Sequence, residues 1–269
     1  LAFIMTVFPV TKSTLSAEAL QSFVIAKYNL SKNTTCKLFR TGINHTYFIT
    51  DTTTKYVLRV YCYNWRSKTE IQEELKLLNT LKEHSIEVSF PLENTKGEFI
   101  NEIQAPEGKR YAVLFSFAEG EKVRFMDTDN CFTVGKLMAS IHKATLNTPI
   151  NRTVYNTDTL IDKPYREINA FFSERLDSMQ YLHTLGKQLT KAFDGLDLNT
   201  FTQGIIHADL WYDNMNITVN NTITIFDFDF CGNGMQVLDV AYFCKQLFHI
   251  ETNKKDYELK FNSFIEGYQ

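Results

Sequence analysis

Ile206-His207-Ala208-Asp209-Leu210-Trp211-Tyr212-Asp213-Asn214, followed by Ile223-Thr224-Ile225-Phe226-Asp227-Phe228-Asp229, is the stretch from which the rest of the chain is read. It sets an Asp two residues after a His, an Asn five residues after that Asp, and another Asp thirteen residues beyond the Asn, inside an apolar strand-like run. Phosphoryl transfer asks little covalent chemistry of a protein. It needs a carboxylate to orient or deprotonate the attacking hydroxyl, and oxygen ligands for the magnesium ions that neutralise the phosphates. Asp209 is the candidate base. Asn214 and Asp227 are hard oxygen donors suited to Mg2+, which takes few protein ligands and fills its shell with water and phosphate oxygens. Strand alternation predicts that Asp227 and Asp229 share one face.

Outward from this stretch, the type of periodicity changes once along the chain, and no internal repeat is found. Residues 17–28 have helical spacing. Residues 36–41, 46–50 and 56–61 are short, β-branched or aromatic, and separated by Gly42, Asn44 and Asp51, which predicts an antiparallel meander. In residues 70–81, Ile71, Leu75, Leu78 and Leu81 recur near helical spacing behind the early acids Glu70, Glu73 and Glu74, which predicts an amphipathic helix. Strand character returns at 88–92, at 98–103 after a turn at Lys96-Gly97, and at 111–117. Beyond Gly120 helices are predicted over 133–144, 167–172, 182–193, 240–248 and 257–264, with a stop at Gly267 and a strand-and-loop insertion over 205–230. The expected architecture is α+β in two lobes, β-rich over residues 1–117 and mainly helical over 118–269, with a cleft between them.

The 269 residues carry 28 Lys and Arg against 31 Asp and Glu, so the net charge of −3 offers no basic excess for binding nucleic acid. No apolar run approaches the roughly 18 residues that suggest a membrane span. Residues 1–10 are apolar but lack a basic start and a small-residue cleavage site, so they read poorly as a secretory signal, and Met5 is a candidate start. The cysteines, Cys36, Cys62, Cys131, Cys231 and Cys244, are odd in number and widely spaced, with no CxxC pair. That pattern predicts reduced thiols in a cytoplasmic protein, with neither a disulfide framework nor a zinc site.

Together the 206–214 and 223–229 segments resemble the phosphotransferase family that includes aminoglycoside phosphotransferases, choline kinases and type II homoserine kinases, relatives of the eukaryotic protein kinases. The resemblance covers nearly the whole chain. It implies a protein-kinase-like bilobal fold, a small antiparallel sheet lobe with one main helix beside a larger helical lobe, and ATP and Mg2+ as cofactors. Residues 207–214 are similar to the family's catalytic loop, and Asp227 to its metal-binding Asp. Two departures stand out: Ala208 where Gly is usual, and Trp211 where many members have His or another polar residue.

Residues 40–46 resemble the loop that covers the ATP phosphates, which implicates Gly42, Asn44 and Thr46. Arg59 stands where protein kinases carry Lys and where some members closer to homoserine kinases carry Arg, which holds phosphate through two parallel hydrogen bonds. On the following helix Glu74 resembles the family's partner for that cation, with Glu70 and Glu73 as rivals. Residues 111–120 resemble the last small-lobe strand and the hinge, so the adenine contacts carry over to the Ser116 carbonyl and the Ala118 N–H. His142, in a run resembling a large-lobe helix, and His207 are expected to brace the fold. Asp239 is expected to cap a helix, to support the catalytic loop, or both.

The resemblance implies an ATP- and Mg2+-dependent phosphotransferase whose partner is a small-molecule hydroxyl compound, while the charge balance and the short apolar runs predict no nucleic acid or membrane partner. Residues 56–66 and 105–111 resemble the subgroup of type II homoserine kinases and bacterial stress-response protein kinases. An amino alcohol such as homoserine therefore ranks first as acceptor and a protein Ser/Thr side chain second. A nucleotide-binding pseudoenzyme working as an interaction module is the rival from another class. Asp209, Asp213, Asp229 and Glu119 form an acidic set that suits a cationic amine. Because the family continues with further helices behind the substrate pocket, the chain is expected to be truncated or to leave that pocket open.

Overall fold

A computed structural model describes residues 8–269. Met5, and most of the apolar run read as lacking signal character, lie outside the described residues. The chain divides into two compact units, one running through Gly120 and adding Thr224–Phe226, the other comprising Glu121–Ile223 and Asp227–Gln269.

In the first unit, α1 (Ala17–Tyr28) starts at Ser16, whose hydroxyl accepts the Ala19 N–H, and stops at Asn29 in the left-handed conformation. β1 (Thr35–Thr41), β2 (Asn44–Asp51) and β3 (Thr54–Tyr61) form the expected meander. α2 (Lys68–Glu83) begins two residues before the predicted helix because Ser67 and Glu70 make a reciprocal capping box. β4 (Asn101–Ala105) and β5 (Gly108–Ser116) complete an antiparallel sheet of order β1-β2-β3-β5-β4. Alternation sends Tyr47, Ile49, Leu58, Val60, Ala112 and Leu114 into one core with Leu20 and Val24 of α1, which leaves Thr46 and Arg59, opposite each other in the β2–β3 register, for the other face.

Two expectations for this unit are corrected. Residues 88–92 form no ladder strand: Val88 and Pro91 make single bridges to Ile225 and Phe115, and Pro91 has no N–H to extend a ladder. The strand foreseen at 98–103 is β4, and its hairpin to β5 turns at Pro106-Glu107, where Ala105 pairs with Gly108. The turn expected at Lys96-Gly97 is present before β4, closed by the Gly97 N–H to the Asn94 carbonyl at 2.9 Å, with Gly97 at φ 75°.

The second unit opens with α3 (Thr128–Ala144), one turn longer than predicted because the Asp127 side chain accepts the Asn130 N–H. A wide π-helical turn at Asp158–Asp162 leads directly into α4 (Lys163–Ile168), so the helix expected over 167–172 instead ends where it was to begin. Pro164 lies in the first turn of α4, directly after the wide turn. α5 (Asp177–Asp194), β6 (Gln203–Ile206), β7 (Met215–Ile217), β8 (Ile223–Ile225), β9 (Gly232–Met235), α6 (Val237–Ile250) and α7 (Lys254–Tyr268) follow. β6 and β9 pair antiparallel. The Ile225 N–H donates to the Glu87 carbonyl and the Ser89 N–H to the Ile225 carbonyl, which ties Thr224–Phe226 to the first unit.

Gly267 does not stop α7; the helix passes through it. A Cβ built there would lie 2.1 Å from the Phe132 carbonyl oxygen, and one on Gly135 would lie 2.1 Å from the Phe264 carbonyl oxygen. The two glycines let α3 and α7 cross with their backbones in contact. No helix among the described residues is long and apolar enough to cross a membrane.

Candidate active site

The first unit presents its cation from regular structure. Arg59, facing Thr46 and Val113 across the ladders of β3, donates to Glu74 Oε1 of α2 at 2.7 Å. Glu74 is fully buried, and its other oxygen accepts the Tyr61 hydroxyl at 3.2 Å. The Arg59 guanidinium also lies 4.9 Å from the Phe115 ring centre, so aromatic faces and one carboxylate fix its direction. Glu70, a rival for this partner, is occupied by the Ser67 cap and by Arg66.

The loop read as phosphate-covering is the tight turn between β1 and β2. The Gly42 N–H donates to the Asn44 carbonyl at 3.1 Å, and the Gly42 carbonyl accepts Lys12 Nζ at 3.0 Å. Asn44 and Thr46 lie within the β2 ladder, and Asn44 Oδ1 is buried without a hydrogen-bond partner. Beside it His45 is fully buried with neither ring nitrogen hydrogen-bonded. Burial, then the Arg110 and Lys12 charges, push the His45 pKa below its ordinary value, while Glu107 acts against them. At the end of β5 the Ser116 carbonyl accepts the Ser89 hydroxyl at 2.6 Å, so an adenine would share that oxygen. Ala118 follows β5 and is buried.

In the second unit Asp209 sits in the loop after β6, and both its carboxylate oxygens are engaged. Tyr242 of α6 donates its hydroxyl to Oδ1 at 2.7 Å, and Asn214 donates its amide to Oδ2 at 2.9 Å and to the Asp209 carbonyl at 2.9 Å. Tyr242 was not singled out in the sequence; its one signal is a position three residues beyond Asp239 on the same helix. Its pKa is pushed up to about 12, by burial first and then by Asp209, so it remains a donor. The Asn214 amide nitrogen is committed to Asp209, which turns Oδ1 away from that residue.

Asp227 and Asp229 do not share a strand face. The strand ends before Asp227, which takes the left-handed conformation (φ 65°) and opens a 3-10 turn, while Asp229 is carried into the interior. Arg152 donates to the Asp229 carbonyl. Asp213 is bridged to Lys122 at 2.5 Å. Of the acidic set read as a receptor for a cationic amine, Asp213 is thus bound to a lysine and Asp229 is buried.

Ala208 also has a left-handed backbone, at φ 63°. Among the described residues the other non-glycine positions of this kind are Asn29, Thr52, Asn64, Ser85, Asn147, Asn221 and Asp227. All of those carry a short polar side chain; alanine has none and bears a cost of about 1 kcal/mol relative to glycine. Asp239 compensates: its oxygens accept the His207 N–H at 2.7 Å and the Ala208 N–H at 2.8 Å. It caps no N–H of its own helix, so loop support is the role the structure gives it. The His207 ring packs at a tilt against Phe228, with ring centres 4.4 Å apart, and accepts the Asp209 N–H through Nδ1 at 3.2 Å, a bracing part.

Among the described residues no cluster of three or more His, Cys, Asp or Glu would hold a metal unaided. The oriented Asn214 oxygen and the Asp227 carboxylate fit a Mg2+ that brings most of its shell as water and phosphate oxygens.

The sequence profile of the phosphotransferase enzyme family matches residues 35–261, and the chain belongs to that family. An uncharacterised protein of Synechocystis sp. PCC 6803 is 30% identical over 239 residues, 88% of this chain and 66% of that protein. The homoserine kinase of Bradyrhizobium diazoefficiens is 26% identical over 257 residues, 94% of this chain and 75% of the kinase. Among solved structures, amicoumacin kinase hAmiN, in complex with AMP-PNP, Ca2+ and Ami, has a TM-score of 0.79 at 18% identity, covering 94% of this chain and 77% of that one. The kinase-like α+β fold is thereby shared. The chain spans about two thirds of the length of the first curated relatives it matches.

Proposed function

We propose that this protein transfers the γ-phosphoryl group of ATP, with Mg2+, to the hydroxyl of a small amino alcohol of the homoserine type. The observation that carries the reading is the Asp209 carboxylate, oriented by Tyr242 on one oxygen and by Asn214 on the other. A carboxylate so fixed suits a base that aligns an attacking hydroxyl and accepts its proton. Asn214 and Asp227 would hold Mg2+, which supplies charge neutralisation at the phosphates when bound. Arg59, steered by Glu74, would bind phosphate oxygens, with Gly42, Asn44 and Thr46 forming the loop over them. The Ser116 carbonyl and Ala118 N–H would take the adenine edge.

In this reading the unit through Gly120 is the nucleotide-binding lobe and the other is the catalytic and substrate lobe. The acceptor class rests on the homoserine kinase relative, since the second unit offers no free acidic cluster of its own. Among the described residues the five cysteines form no disulfide, which supports a cytoplasmic setting.

The test is ADP release from Mg2+-ATP with homoserine, choline, several aminoglycosides and a Ser/Thr protein substrate, beside Asp209→Asn. Turnover on the amino alcohol is expected, and the variant should lose about a thousandfold in kcat with ATP affinity by calorimetry unchanged. Turnover on no acceptor, or equal loss of ATP binding and turnover in the variant, overturns the assignment.

A further inference from the structure

We propose that Tyr268, in the last turn of α7, is a positioning residue for the catalytic loop, acting through His142 and Asp239. The inference rests on the reading of Asp209 as the base. Four contacts form an unbroken series. The Tyr268 hydroxyl lies 2.8 Å from His142 Nδ1, and His142 Nε2 lies 3.0 Å from Asp239 Oδ2. Asp239 in turn accepts the N–H groups of His207 and Ala208, the two residues before Asp209.

Proton placement follows from what each group can do. A carboxylate only accepts, so in the neutral imidazole Nε2 carries the hydrogen towards Asp239 and Nδ1 is the acceptor for the tyrosine O–H. Burial and the Asp239 charge raise the Tyr268 pKa, which keeps that donor in place. The carboxylate sets this tautomer, and Tyr268, by donating to Nδ1, reinforces it and holds the ring in line with Asp239. With the opposite tautomer, a bare Nε2 would face the carboxylate and push it off the loop amides. The Ala208 backbone, which needs those amide bonds to stay left-handed, would relax and carry Asp209 with it.

Packing explains how a residue so distant in sequence reaches this place. Ser263 donates to the Thr128 carbonyl at 2.7 Å, and the crossing at Gly135 and Gly267 brings α7 onto α3. His142 lies seven residues, about two turns, beyond Gly135, on the same face of α3. The Tyr268 ring meets its imidazole edge-on, with ring centres 5.6 Å apart.

The experiment uses the full chain, with Tyr268→Phe, Ala208→Gly and the double variant. In Tyr268→Phe, kcat is expected to fall about tenfold while KM for ATP stays within about twofold. Nitrogen-15 spectra of the His142 ring should lose the single Nε2–H tautomer, and the His207 and Ala208 amides should exchange faster. In the double variant, glycine holds the left-handed backbone unaided and should recover most of the lost kcat. An unchanged His142 spectrum, unchanged amide exchange, or no recovery with glycine overturns the proposal. If the wild type phosphorylates no acceptor, the function fails separately, and the spectra and exchange rates still decide the relay.

Discussion

The two units hold the charges of their candidate residues in different ways. Arg59 and Glu74 are 15 residues apart in sequence and meet from a regular strand and a regular helix, each at a position that periodicity assigns. Asp209 lies in a loop with a left-handed neighbour, and its supports come from far along the chain. Tyr242 is 33 residues away, Asp239 is 32 from His207, and Tyr268 reaches His142 across 126. A charge on regular structure needs one good partner. A charge on a strained loop needs a network to keep the loop in place.

The largest expected effect sharpens this contrast in the first unit. Glu74→Ala leaves the Arg59 guanidinium nearly buried without its carboxylate and should cost about 3 kcal/mol of stability in urea unfolding. Arg59→Met with Glu74→Leu should restore most of that, because an apolar pair of similar volume avoids the desolvation of two charges. Phosphotransfer should remain lost in the double variant. Recovered turnover there would reduce the pair to a structural device and break the comparison.

A smaller effect probes the second unit. Gly267→Ala drives a methyl group into the Phe132 carbonyl and should cost about 2 kcal/mol despite the better helix propensity of alanine. Gly42→Ala is the counterpart: its Cβ would meet nothing closer than the Asn44 carbonyl at 3.7 Å, so stability should change by less than about 0.5 kcal/mol. Equal destabilisation by both, read as midpoint shifts at constant m, would mean that the α3–α7 crossing yields more readily than its geometry implies.

This contrast also governs what was legible in the sequence. The meander, α1 and α2 followed from period and turn residues, and Glu74 could be preferred over Glu70 because the buried Leu75 and Leu78 side of the helix turns it inward. The His-x-Asp and Asn spacing marked the loop in which Asn214 and Asp209 are hydrogen-bonded. Left-handed Ala208 left no trace in its own residue type, and the one sign of it was that glycine is usual at that place in the family it resembles. Tyr242 and Tyr268 were hidden for another reason: a hydroxyl on an amphipathic helix reads as surface until tertiary packing brings it to a carboxylate or an imidazole. Gly267 looked like a helix stop because a terminating glycine and a helix-crossing glycine share the same letter. Pro91, by contrast, carried the information that residues 88–92 would not extend the sheet.

The smallest effect tests the point where the first unit departs from its own pattern. His45 lies in a regular strand, yet its ring is buried with no hydrogen-bond partner, beside Arg110, Lys12 and Glu107. Its folded pKa is depressed, so the unfolded chain binds a proton more readily. The associated stability is present above the unfolded value of about 6.5 and is lost as pH falls from there towards the depressed folded value. Between those limits one proton gives a slope of at most about 1.4 kcal/mol per pH unit. Urea midpoints measured from pH 8 to pH 5 should therefore fall more steeply for the wild type than for His45→Leu, and above pH 7 the variant should be at least as stable, because leucine leaves no unpaired ring nitrogen. Parallel profiles would show that solvent reaches the imidazole. In that case the regular strand of the first unit would be as fully hydrogen-bonded as the Asp209 loop of the second, and the remaining contrast would be one of backbone strain alone.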